Sequence, residues 1–130
     1  MLQVVAAVIE RGGRVLICRR NARQSHPLQW EFPGGKVEPE ETPGRALTRE
    51  LEEELDIRAA TGKEIARYEF TYPGKPPVEL IFFRVLEFQG EPRNVIFEEM
   101  RWEPRHRLGE FDFVEGDLDF IRTFSQSGTA

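Results

Sequence analysis

Apolar positions fall along the chain in short blocks separated by polar, Gly- or Pro-bearing stretches, and the spacing inside each block names its element. Residues 4–9 form an unbroken apolar run of strand length, the pattern of a buried strand. Gly12-Gly13 reads as a hairpin turn, and residues 14–19 return as a strand with charges only at its ends. Residues 21–28 are polar and hold Pro27, which makes them a loop. Residues 30–32 read as a short apolar strand closed by a Gly34-Gly35 turn. From Thr42 the period changes: Leu47, Leu51 and Leu55 recur every fourth residue, predicting a helix with Thr42 as N-cap and Pro43 at its first position. Residues 65–71 and 78–88 read as two strands joined by residues 72–77, in which Pro73-Gly74 suits a type II turn. A short strand over 99–102 follows, and Leu118, Phe120, Ile121 and Phe124 mark a terminal amphipathic helix. The sum is an α+β fold in one domain over residues 1–130, a length that supports a single core.

Charge changes the picture at the first helix. At about 100° per residue, Glu50, Glu53 and Glu54 fall within a sector of roughly 100° that borders the Leu stripe. Like charges three and four residues apart repel by a few tenths of a kcal/mol per pair. A solvated acidic face is the ordinary origin of such a cluster, but this one is tucked toward the core and follows two glycines. Glycine lets a backbone approach a ligand closely and leaves a carbonyl free to coordinate. A hard divalent cation fits that combination.

Composition narrows the function classes. The net charge of −5 argues against non-specific nucleic-acid binding. No apolar run reaches the roughly 18 residues of a membrane span, and no basic stretch followed by an apolar one suggests a signal peptide. The lone Cys18 sits inside an apolar run and fits burial in a strand and a reducing cytoplasm.

Gly35, Glu41, Arg49, Glu50, Leu51, Glu53, Glu54 and Ile57 together resemble the signature box of the Nudix hydrolases. The one departure is Asp56, where the family has Gly. That site looks like the residue just past the helix, where a left-handed conformation is common, and Asp tolerates it better than most residues. The resemblance implies the Nudix fold, a mixed sheet sandwiched between helices, and hydrolysis of a nucleotide with magnesium, manganese being a possible substitute. It implies a small-molecule nucleotide as partner, with no nucleic acid and no membrane, in a monomer or homodimer. Glu53 and Glu54 would carry most of the metal binding, with Glu50 and a Gly34 or Gly35 carbonyl beside them. Glu50 would be the general base, Arg49 an orienting partner and Glu41 a support for the loop. Glu98, or its neighbour Glu99, matches a position that supplies an additional ligand or base.

The stretch from Gly13 to Ile57, with Arg19-Arg20 and residues 30–36, looks most like the MutT branch, which clears 8-oxo-dGTP and modified pyrimidine triphosphates from the nucleotide pool and so serves DNA repair. Arg20 and Lys36 are then candidate phosphate or substrate contacts, with solubilising surface charge as the alternative. Asp117 matches the place of a base-reading residue at the start of the terminal helix; a carboxylate interacting with the helix dipole is the alternative. Phe82, with Phe70 and Phe113, is a candidate to flank the base, though strand aromatics are more often core. Pro73 lies roughly where ADP-ribose-cleaving relatives carry a proline, but its place in a Pro-Gly turn gives it a local role. A non-catalytic Nudix-like recognition module would have lost the box carboxylates, and this chain keeps them.

Overall fold

Burial alternates along the first apolar run. Val5, Ala7 and Ile9 face one side and Ala6 and Val8 the other, and all are shielded from solvent. A strand covered on both faces belongs in the middle of a fold, and that is where the computed structural model, which describes residues 1–126, puts it. The strands are β1 (Leu2–Arg11), β2 (Arg14–Arg19), β3 (Trp30–Glu31), β4 (Gly34–Lys36), β5 (Arg58–Phe70), β6 (Val78–Gln89) and β7 (Glu99–Glu103). The helices are α1 (Pro43–Leu55) and α2 (Glu115–Phe124), with a 3-10 turn over Arg105–Glu110.

β1 runs parallel to β6, from Leu2 opposite Val78 to Ile9 opposite Val85, and β5 flanks β6 antiparallel. On its other edge β1 pairs first with β4 over Val4–Ala6 and then, beyond the Gly12-Gly13 hairpin, with β2. β2 in turn pairs with β7 along Val15–Arg19 and with β3 at Cys18 and Arg19. One long strand thus joins a mixed layer to an antiparallel one. α1 covers the Val5 side through Ala46, Leu47, Leu51 and Leu55, and α2 covers the Ala6 side through Phe120, Ile121 and Phe124. Among the described residues no helix is long and apolar enough to cross a membrane.

α1 starts and stops as its sequence dictates. The Thr42 hydroxyl accepts the Arg45 N–H (3.2 Å), Pro43 opens the first turn, and Asp56 ends the helix in the left-handed region (φ 56°, ψ 32°) with its N–H on the Glu52 carbonyl. The Pro73-Gly74 turn also forms, with Gly74 at φ 75° and the Lys75 N–H on the Tyr72 carbonyl (3.0 Å).

Two segments differ from expectation. Gly34-Gly35 is not a turn but the body of β4, paired with Ala6 and Val5 of β1. A Cβ at Gly34 would stand 2.0 Å from the Val5 carbonyl oxygen, so the glycine serves close strand approach. β5 begins at Arg58 instead of residue 65, because its first half is an exposed, bulged stretch held by pairing with β6, without an apolar rhythm of its own.

Candidate active site

Packing of the Leu stripe fixes the azimuth of α1, and this turns Glu50 and Glu54 toward β4. The Glu50 carboxyl lies against Gly35, where a Cβ would come within 2.5 Å of it. Glu54 accepts the Gly34 N–H (3.1 Å) and shares a hydrogen bond with Glu50. Burial, then the charges of Glu31 and Glu50, push the Glu54 carboxyl well above the ordinary range, and burial likewise raises Glu50. Glu53 behaves differently. It borders the stripe on the outer side, stays exposed, and meets the Arg49 guanidinium (3.4 Å).

Arg49 ties this corner together. Its Nε and Nη2 donate to both Glu41 oxygens (2.7 and 2.9 Å), Nη1 to Glu50 (2.9 Å), and Nη2 also to the Lys36 carbonyl (3.0 Å). Glu41, which also accepts the Glu38 N–H (3.0 Å), is held down to about 2, chiefly by the Arg49 bonds. The β4–α1 loop is thereby clamped to the helix that it precedes.

β4 forms one wall of a cleft of about 850 Å³ that runs past Glu31 and Arg20 to Asp117 at the start of α2. Lys36 opens onto it from an exposed position. Arg20 faces it too, but its guanidinium is committed to Glu31 (2.8 Å) and to the Ser25 carbonyl and hydroxyl. Asp117 is buried and accepts a hydrogen bond from the Phe32 N–H; burial and the neighbouring Glu31 nevertheless lift its carboxyl to about 8. A carboxyl in that state presents one O–H donor and one acceptor.

Phe82 is a correction. It is fully buried, its ring stacked on Phe120 (centroids 4.3 Å apart) and beside Tyr68 (5.6 Å), because its position on β6 points to the apolar face of α2. It supports the cleft from behind without lining it. Phe113 is likewise core, against Phe32 (5.3 Å), and Phe70 packs edge-on to Tyr72 (4.7 Å). Glu98 sits just before β7, exposed, with its N–H on the Arg19 carbonyl (2.8 Å), while Glu99 pairs with Arg19 in register.

Glu31, His26 and Tyr72 are among the cleft-lining residues that the sequence did not single out. Glu31 had a signal, a charge set between the apolar Trp30 and Phe32. The other two come into place through loop conformation, His26 at φ 52°, which no periodicity encodes.

The chemistry of the donor set fits a hard cation. Glu50 and Glu54 are two adjacent, partly desolvated carboxyls with raised proton affinity, a setting in which a bound cation is favoured, and with the Gly34 and Gly35 carbonyls they offer oxygen ligands. Among the described residues no three acidic, His or Cys side chains converge as a preformed cage. Magnesium retains waters and takes substrate phosphates as ligands, so a partial protein shell suits it.

The chain is similar to known proteins over nearly its whole length. Residues 1–124 match the NUDIX domain. The chain is 34% identical over 124 residues to the CTP pyrophosphohydrolase of Escherichia coli K12, covering 95% of this chain and 91% of that protein. It is 38% identical over 122 residues to the 8-oxo-dGTP diphosphatase of Haemophilus influenzae, covering 93% and 89%. The solution structure of the E. coli ORF135 protein superposes with a TM-score of 0.85 at 33% identity, covering 97% of this chain and 89% of that one. With the family match spanning nearly the whole chain, and relatives above 30% identity covering most of it, the chain belongs to the Nudix hydrolase family.

Proposed function

We propose that this protein hydrolyses a nucleoside triphosphate, oxidised or otherwise modified in its base, to the monophosphate and pyrophosphate, in the manner named for its 8-oxo-dGTP diphosphatase relative. One observation carries the reading: a single cleft joins the β4 wall, against which Glu50 and Glu54 pack, to the buried Asp117. Phosphates and base can therefore be held at opposite ends of one site.

Nudix enzymes generally need a divalent metal, and magnesium is the ion proposed here, with manganese as substitute. Glu54, Glu50 and a carbonyl of Gly34 or Gly35 would hold it, with Glu53 and Glu98 completing the shell from exposed positions. Bound there, the cation supplies neutralisation of polyphosphate charge. The chain's own residues do the rest. Glu50 takes the proton of the attacking water, a task helped by the raised proton affinity that burial gives it. Arg49 orients that carboxylate, and Glu41 anchors Arg49. Lys36 and Arg20 face the phosphates, Arg20 with its charge partly answered by Glu31. Asp117 reads the base.

Asp117 also favours a second reading, cytidine triphosphate, the substrate named for the E. coli pyrophosphohydrolase. A protonated carboxyl donates to the cytosine ring nitrogen and accepts from its exocyclic amine as well as it pairs with a purine edge. Assays of pyrophosphate release with magnesium, across CTP, the canonical deoxynucleotides, 8-oxo-dGTP and ADP-ribose, separate the two. Activity confined to ADP-ribose would sink both. Glu50→Gln is expected to reduce kcat by at least 10²-fold; a rate within a few-fold of wild type would move the base elsewhere, first to Glu98.

A further inference from the structure

We infer that Tyr72 is a positioning residue for base discrimination, its hydroxyl fixing the first turn of α2 and hence the carboxyl of Asp117 at the cleft. The inference rests on the reading of Asp117 as the base-facing group.

α2 lacks a cap of its own. Val114 stands at the N-cap and no side chain of that residue can accept the free N–H groups of the first turn. Tyr72, on the turn between β5 and β6, supplies what is missing: its Oη accepts the Gly116 N–H (2.9 Å). Tyr68, four residues earlier on β5, holds the same turn from the other side. Its Oη donates to the Gly116 carbonyl (2.6 Å) and accepts the Phe120 N–H (3.2 Å). The fit requires glycine, since a Cβ on residue 116 would stand 2.6 Å from Tyr72 Oη and 3.1 Å from Leu80 Cδ1. Asp117 is the next residue along. Wherever these hydroxyls put Gly116, Asp117 follows.

The Tyr72 ring has a second duty. It lines the cleft and packs against His26 of the β2–β3 loop, centroids 4.8 Å apart and rings inclined by 42°. One side chain therefore touches three walls of the cleft: the loop bearing His26, the β5–β6 turn and the start of α2. A residue that only filled space would not need its hydroxyl aimed at a helix terminus.

Tyr72→Phe keeps the ring on His26 and removes only the hydroxyl. A neutral hydrogen bond of this kind contributes about 0.5–1.5 kcal/mol, so the ratio of kcat/KM between the best and poorest base in the triphosphate panel is expected to fall roughly two- to tenfold, with the loss carried mainly in KM. Asp117→Ala should move the ranking in the same direction, and adding Tyr72→Phe to it should bring no further change in ranking. Thermal melting checks that each variant is folded. Should Tyr72→Phe melt below the assay temperature, Gly116→Ala, which strains the same contact from the helix side, is expected to move the ranking likewise. If Asp117→Ala reorders the bases while a folded Tyr72→Phe or Gly116→Ala does not, Tyr72 is structural only and the inference falls. If Asp117→Ala itself leaves the ranking unchanged, the base-reading assignment fails and takes this inference with it.

Discussion

Arg49 answers the carboxylates of Glu41, Glu50 and, at 3.4 Å, Glu53, together with a backbone carbonyl, a demand that suits a planar guanidinium and not an ammonium. Lysine at this place keeps the charge but cannot bridge Glu41, Glu50 and the Lys36 carbonyl together. Arg49→Lys is therefore expected to lower kcat by about 10- to 100-fold, the range found when the groups that orient catalytic ligands are removed, as steady-state assays would show. A variant that kept full turnover would deny Arg49 its orienting part. The same bonds set a pH dependence. Glu41 binds its proton less tightly folded than unfolded, so the stability from its pairing is complete above the ordinary carboxylate range and is lost as pH falls toward about 2.

At the scale of elements, α1 is the part that sequence dictates most completely. Its Leu stripe, Thr42 cap and Pro43 start are all local, and they position the acidic residues as a by-product of packing. Its one irregularity is Asp56, left-handed at the C-terminus. Asp56→Gly relieves that conformation and is expected to raise stability by a few tenths to about 1 kcal/mol, with kcat unchanged. Urea denaturation measures it, and a loss of stability would show that the Asp56–Arg93 pair (3.4 Å) matters more than the backbone. β1, β2 and β6 were legible for a similar reason, because their apolar runs carry their own burial pattern. Elements defined by their neighbours were not. The first half of β5 is exposed on most positions, and β4 is two glycines that become a strand only because β1 lies alongside. In the candidate site, the carboxylates of α1 and the helix-start Asp117 were candidates from spacing and resemblance. Tyr72 was not, since nothing local says that its hydroxyl will meet a helix more than forty residues later. Phe82 misled because a strand aromatic looks the same in sequence whether it meets a substrate or Phe120.

For the whole molecule, desolvated acids on both sides of the central strand, Asp117 buried and Glu54 half-buried, link proton binding to stability. Glu54 and Asp117 hold protons more tightly in the folded chain than in the unfolded one. Raised carboxyl values favour the folded state below the unfolded range, and that advantage drains away as pH climbs toward the folded values, about 8 for Asp117. Without divalent metal the unfolding free energy, and with it the melting temperature, is thus expected to decline between pH 5 and pH 8, by roughly 1 kcal/mol per pH unit for each group at its steepest. Asp117→Asn and Glu54→Gln should each flatten the decline, and magnesium should restore stability most at the alkaline end, where it replaces the proton on Glu54. A melting temperature that rises across this window in chelator would contradict the burial of these acids.

The parallel pairing of β1 with β6 also has a bearing on how the protein is made. A nascent chain that has emerged as far as Leu55 already contains every carboxylate of α1, yet β1 has no parallel neighbour until residues 78–85 follow, and its second face stays bare until α2 is synthesised. Such distant pairing is slow to form and leaves an apolar strand open to wrong partners in the meantime. The acidic segment is therefore translated early, while the strand pairing and the helix that complete the fold around it come from residues translated later.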